Sequence, residues 1–151
     1  SRVFDQARRD SRGFEPYARQ IASMFRDNPG VLEELLFCLA HVAKADGVLH
    51  PSEIEFLKAV SNIFGLDEVA FERVTEIDLG STQSDAYTIL GVSRNITDED
   101  LRIAYHALVR EHHPDRLIAQ GMPQEFVDLA NKKLAAINVA YEKIGNQRGF
   151  S

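Results

Sequence analysis

Hydrophobic positions along this chain recur at intervals of three and four, and nowhere do they alternate as a half-buried strand requires. Between residues 97 and 112, Leu101, Ala104, Tyr105, Leu108 and Val109 form one helical stripe; Arg102, His106 and Arg110, spaced by four, form a second, partly basic one. Thr97 with Asp100 three residues on gives a capping pattern at the start of this run, and Pro114 disfavours helical geometry at His113, which predicts its end. Pro123 suits a first helical turn, and Phe126, Ala130, Leu134, Ile137, Tyr141 and Ile144 then line one face of a longer helix. Two helices with facing apolar stripes predict an antiparallel pair, residues 98–112 against 123–144, with Tyr87, Tyr105 and Tyr141 in its core.

The first half of the chain is also helical in period. Residues 1–13 are charged and irregular and read as a leader; Pro16 then opens a helix to about residue 26. A turn cluster at 27–30 leads into a strongly apolar helix over 31–45, which Asp46-Gly47 ends with glycine at a C-cap position. A further helix follows Pro51 and is stopped by Gly65, and Asp67 caps another carrying Val69, Phe71 and Val74. The polar, aperiodic Gly-Ser-Thr-Gln-Ser at 80–84 is the expected linker. The fold class is therefore all-α in two small domains, 1–80 and 84–151.

Composition narrows the function. The chain has 151 residues, 44% apolar and 26% charged, an ordinary globular mix. A net charge of −6 argues against general nucleic-acid binding, which needs a basic field. Residues 1–80 hold 9 Lys and Arg against 14 Asp and Glu, net −5, and residues 81–151 hold 8 against 9, net −1. Any basic surface in the second half must therefore come from local clustering. Cys38 is the single cysteine, set among Leu35, Leu36, Phe37 and Leu39, so it reads as a buried small hydrophobe; neither an internal disulfide nor a cysteine-based zinc site is possible. No signal peptide and no run of 18 apolar residues is present. Because the chain opens on Ser1 rather than Met, it is expected to be a fragment.

The chemistry-bearing residues gather at the predicted hairpin tip. His113, Pro114 and Asp115 fall between the paired helices, where a polar, proline-bracketed turn contributes little to a core and is free to meet a partner. His112 lies seven residues after Tyr105, on the apolar stripe, and reads as structural. A catalytic or metal role for His112, His113 and Asp115 lacks further convergent ligands apart from His106. Taken alone, the stripe of Arg102, His106 and Arg110 would be an ordinary solvated face; the neighbouring tip reverses that weighting.

These residues together resemble the J domain of DnaJ-type co-chaperones over about 84–144. Asp85-x-Tyr87-x-x-Leu90-Gly91-Val92 resembles its first helix, Leu101-Arg102-x-Ala104-Tyr105-x-x-Leu108 its second, His113-Pro114-Asp115 its signature loop, and Ala140-Tyr141 the end of its third. The resemblance implies that the loop, with Arg102, His106, Arg110 and Arg116, docks on a DnaK-type 70-kDa heat-shock chaperone and stimulates its ATP hydrolysis. It implies no catalytic residue, metal or cofactor in this chain. Some features depart from the family: His106 and Ala107 stand where Lys or Arg is usual, Glu111 weakens the positive field, and the segment 117–128 is longer than in compact members. The alternative reading is a helical interaction module with a degenerate J fold and little chaperone coupling.

The run from Leu39 to Glu53, through Asp46-Gly47, resembles the TerB-like helical domain. That domain before a C-terminal J domain is the layout of DjlA-type co-chaperones. The layout implies a membrane anchor upstream of Ser1, with this region at the cytoplasmic face of the inner membrane. Asp46-Gly47 and Glu53 also match part of an EF-hand loop, but Val42 and Lys44 occupy the first ligand positions and cannot serve calcium. The structural expectation is that Glu53 stabilises the start of the helix that carries it.

Overall fold

The computed structural model describes residues 11–44, 50–78 and 85–150, and every regular element among them is helical. Eight helices follow in order: α1 (Ser11–Met24), α2 (Pro29–Ala43), α3 (Pro51–Ile63), α4 (Glu68–Asp78), α5 (Ala86–Leu90), α6 (Asp98–Glu111), α7 (Asp115–Ala119) and α8 (Gln124–Arg148). Two compact units result, divided after Phe71 within α4. The leader at 1–10, the Asp46-Gly47 turn and the linker expected at 80–84 lie outside the described residues.

In the first unit α1 and α2 both pack on α3. Leu36, Phe37, Ala40, Leu57 and Val60 are buried at its centre, with Phe14 tilted against Phe56 at 5.2 Å between ring centroids. Cys38 is buried among them, a small hydrophobe in a packed core. Helix α1 begins at Ser11, so residues 11–13 are helical rather than leader, and Pro16 sits inside the helix rather than at its start. As the sixth residue of the helix, Pro16 lies beyond the first four N–H groups that lack intrahelical partners, so it removes one backbone bond from α1. At α3 the His50 N–H donates to Glu53 Oε1 at 3.1 Å, the supporting role expected for Glu53.

The second unit is built on α8, against which α5, α6 and α7 all pack. Its core joins Ile89 and Leu90 of α5, Leu101 and Leu108 of α6, and Ile137 and Ile144 of α8. Local signals set the elements. Asp85 Oδ1 accepts from the Tyr87 N–H at 3.0 Å to open α5, and Gly91 closes it at φ 69° and ψ 34°, a left-handed conformation that glycine adopts without steric cost. Thr97 Oγ1 accepts from the Asp100 N–H at 3.1 Å to open α6, as its sequence predicts. Side chains pair in opposite chain directions along α6 and α8: Asp98 with Arg148, Tyr105 with Tyr141, His112 with Lys133. The two helices are therefore antiparallel, as expected from their stripes.

Helix α8 differs from expectation in two respects. It continues through Arg148, about one turn beyond the predicted end, and its buried face runs through Val127, Ala130, Lys133, Ile137, Ala140 and Ile144. Phe126, Leu134 and Tyr141 are only partly buried, at the margin of that face. Tyr87 and Tyr105 are likewise half-buried, so the tyrosines frame the core instead of filling it. Tyr105 and Tyr141 stack at 4.0 Å with 3° between their planes. Arg148 clasps the far end of the pair, donating to Asp98 Oδ1 and the Ile96 carbonyl, each at 2.8 Å. Gly145 lets the chain fold back there, because a Cβ at this position would lie 2.8 Å from the Phe150 carbonyl oxygen.

Leu108 is 8% exposed in this seam, and Leu108→Ala should cost about 2–5 kcal/mol in urea unfolding, the range for a buried leucine truncated to alanine. Arg102→Ala, on the solvated side of the same helix, should fall within about 0.5 kcal/mol of the parent.

Candidate functional site

The chain alternates inward and outward where α6 gives way to α7. His112 is 2% exposed and turned inward; the His113 side chain is 49% exposed; Pro114 is buried; the Asp115 side chain is 81% exposed. The sequence places all three of His113, Pro114 and Asp115 on an exposed tip, and for Pro114 that expectation is corrected. Its helical backbone, φ −56° and ψ −23°, makes it the N-cap of α7, and its carbonyl accepts from the Leu117 N–H at 3.0 Å. The extra segment at 117–128 thus begins in a short helix, α7, which seats Leu117, 1% exposed, in the interior, and ends in the opening turn of α8.

The two exposed residues face each other. The Asp115 N–H donates to His113 Nδ1 at 3.2 Å, and an Asp115 carboxylate oxygen lies 3.5 Å from the same nitrogen. Where Nδ1 accepts that N–H, Nε2 is the ring nitrogen that can donate. Arg116 reaches back, its Nε donating to the Arg110 carbonyl at 3.1 Å. That bond satisfies a carbonyl at the C-terminal end of α6, where orphan acceptors collect. Arg116, expected as a partner contact, thus also closes the loop onto its helix.

Arg102, His106 and Arg110 are all exposed on α6, as their spacing predicts, and the His106 ring lies 5.4 Å from the Tyr105 ring. Beside them a groove of about 480 Å³ opens between α6 and α8, with Arg102 at its rim and Tyr105, Asn138, Tyr141, Glu142 and Phe150 along its walls. The Tyr105 hydroxyl donates to Asn138 Oδ1 at 2.6 Å. Burial pushes the Tyr105 phenol above its usual 10.0, and the negative charge of ionised Tyr141 and of Glu142 adds to the shift. Among the described residues, no three His, Cys, Asp or Glu side chains converge as a metal-binding group. His112 does not join His113 at the surface, because its Nδ1 lies 2.9 Å from Lys133 Nζ in the interior. Sequence reasoning missed Lys133, although its spacing, three residues after Ala130 and four before Ile137, sets it on the apolar face where Lys132 is not.

Comparison with known proteins also divides the chain in two, between residues 76 and 85. Residues 1–76 match the family model described as tellurite resistance protein TerB, and residues 85–148 match the DnaJ domain. The class is thus a J-domain protein with a TerB-type helical domain in front. More particularly, the chain belongs to the DjlA type of J-domain co-chaperones. A protein of Shewanella oneidensis named co-chaperone protein DjlA is 35% identical over 120 residues, 72% of this chain and 46% of that protein. The protein of the same name from Escherichia coli K12 is 29% identical over 155 residues, covering 87% of this chain and 57% of that protein. The counterpart from Photobacterium profundum is 25% identical over 171 residues, covering 98% and 62%. The chain therefore spans about half the length of the curated relatives it matches. No solved structure matches it. Among the described residues no helix is long and apolar enough to cross a membrane.

The raised Tyr105 phenol predicts a direction for alkaline unfolding. Its folded pKa lies above the unfolded value of 10.0, so its contribution to stability is complete below about pH 10 and is lost as pH rises through the folded value. Denaturant midpoints measured from pH 8 to pH 11 should fall above pH 10, and Tyr105→Phe should flatten that fall. An unaltered slope in the variant would remove Tyr105 from the account.

Proposed function

We propose that this chain stimulates ATP hydrolysis by a DnaK-type 70-kDa chaperone and performs no turnover itself. The observation that carries this reading is the alternation at the tip. His113 and Asp115 stand exposed while Pro114 and His112 are held inside, so a histidine donor and a carboxylate are presented together on a fixed base. Asp115 offers its carboxylate to a cationic group of the partner through a charge-assisted bond. Arg102, His106 and Arg110 lie on the helix leading to that tip and supply a local positive face, although residues 81–151 carry a net charge of only −1, from 8 basic against 9 acidic side chains. Such a face acts mainly on encounter rate and orientation. With two arginines and one histidine it is a thin field, and Glu111 adjoins it, so salt should weaken docking readily.

The resemblance extends the proposal to place. In the full-length protein, a helix before Ser1 anchors this region at the cytoplasmic face of the inner membrane. An upstream sequence lacking about 20 predominantly apolar residues would refute that part alone.

Single-turnover ATPase measurements with a purified DnaK-type chaperone test the mechanism. His113→Gln keeps similar size and some hydrogen-bonding capacity while removing the imidazole. It should abolish stimulation and leave the helical circular dichroism unchanged, because the ring lies outside the core. Arg110→Ala should reduce stimulation, and the deficit relative to the parent should shrink as salt rises. A His113→Gln chain as active as its parent would favour the alternative, a J fold kept as an interaction module.

A further inference from the structure

We infer that Lys133 is a positioning residue for His113 and Asp115, acting through His112. This inference rests on the proposed chaperone docking and adds to it a component remote from the docking surface. Lys133 lies on α8 and is fully buried, and His112 is 2% exposed at the end of α6. Their side-chain nitrogens are 2.9 Å apart. An ammonium can only donate, so with Lys133 charged His112 Nδ1 is the acceptor of this bond. The His112 backbone is fixed as well, since its N–H donates to the Leu108 carbonyl at 2.9 Å. The residue covalently joined to His113 is thus held at both its main chain and its ring.

The case for a role beyond packing comes from what such a group costs. Withdrawing an ammonium from water is unfavourable unless its hydrogen bonds are replaced, and a methionine of similar length would occupy the space without that penalty. The neighbouring buried positions of α8, Ala130 and Ile137, are apolar. A lysine among them supplies something they cannot, namely a directional contact to the helix across the seam. That contact spans the hairpin immediately below the tip. On the other side of the tip, Arg116 bonds the Arg110 carbonyl, and between them Pro114 is buried. His113 and Asp115 are thereby held between three fixed points, and the lysine contact ties the α6 side of the tip to α8. Holding a binding group in one geometry lowers the ordering cost when a partner arrives.

The test uses the full 151-residue chain with a purified DnaK-type chaperone and ATP in single turnover, following both maximal stimulation and the half-saturating concentration of the chain. Lys133→Met should raise the half-saturating concentration about tenfold, the scale of one lost hydrogen bond to a charged group, with helical content retained. Lys133→Arg keeps a cationic donor and should recover most of the effect. A purely structural lysine would give a different result: a lowered melting temperature, with stimulation per folded chain equal to the parent. That outcome overturns the inference. Should Lys133→Met fail to fold, the double variant Lys133→Met with His112→Phe replaces both polar partners by apolar groups and removes the buried mismatch. Weakened docking in the folded double variant supports the inference, and parent-like docking overturns it. His113→Gln measured alongside separates the two layers. If the parent itself gives no stimulation, the chaperone reading fails; if the parent stimulates and Lys133→Met does so equally, only the positioning role fails.

Discussion

The apolar seam between α6 and α8 is the constraint on which the second unit depends. Leu101 and Leu108 from one helix and Ile137 and Ile144 from the other make it, with Ile89 and Leu90 of α5 closing it. Because the helices are antiparallel, this single surface fixes both ends of the hairpin at once. At one end Arg148 meets Asp98, and at the other His112 meets Lys133. The middle is marked by the stacked Tyr105 and Tyr141. An exposed tip on a short connection would otherwise sample many geometries; here the burial that folds the hairpin also orients it.

Much of this was legible in the sequence because it rests on period and punctuation. The stripe through Leu101, Tyr105 and Leu108 announces a helix and its inner face, and Thr97, Asp85, Gly65 and Gly91 mark boundaries that local chemistry enforces. The exposed Arg102, His106 and Arg110 follow from spacing alone. What was not legible depends on long-range packing. Residue type does not distinguish Lys133, which is buried, from Lys132, which is exposed; only the spacing from Ala130 and Ile137 does, and a lysine on an apolar face is easily passed over. Pro114 reads as a loop residue by type, yet it is buried at the start of α7, whose Leu117 is buried as well. The early start of α1 is a third case, where helical context overrides the usual preference for proline in a first turn.

The first unit carries its own departures from a simple apolar pattern. Glu33 and Glu34 on α2 are each 3% exposed and Glu53 on α3 is 1% exposed. Glu53 has a defined local task, accepting the His50 N–H ahead of α3. A carboxylate buried at such depth is a feature that hydrophobic periodicity does not register, so the sequence pattern describes the outline of this unit better than its interior.

The in-and-out alternation from His112 to Asp115 makes length, more than composition, the quantity this tip must preserve. Inserting or deleting one residue between the lysine contact below His113 and the Arg116 bond above Asp115 would shift the phase of every side chain between them. A buried position would then be asked to hold an aspartate, and a proline would be turned to solvent. Substitutions at the outward positions leave the hairpin intact and change only the surface it presents, so the structure separates the freedom to vary that surface from the obligation to keep count.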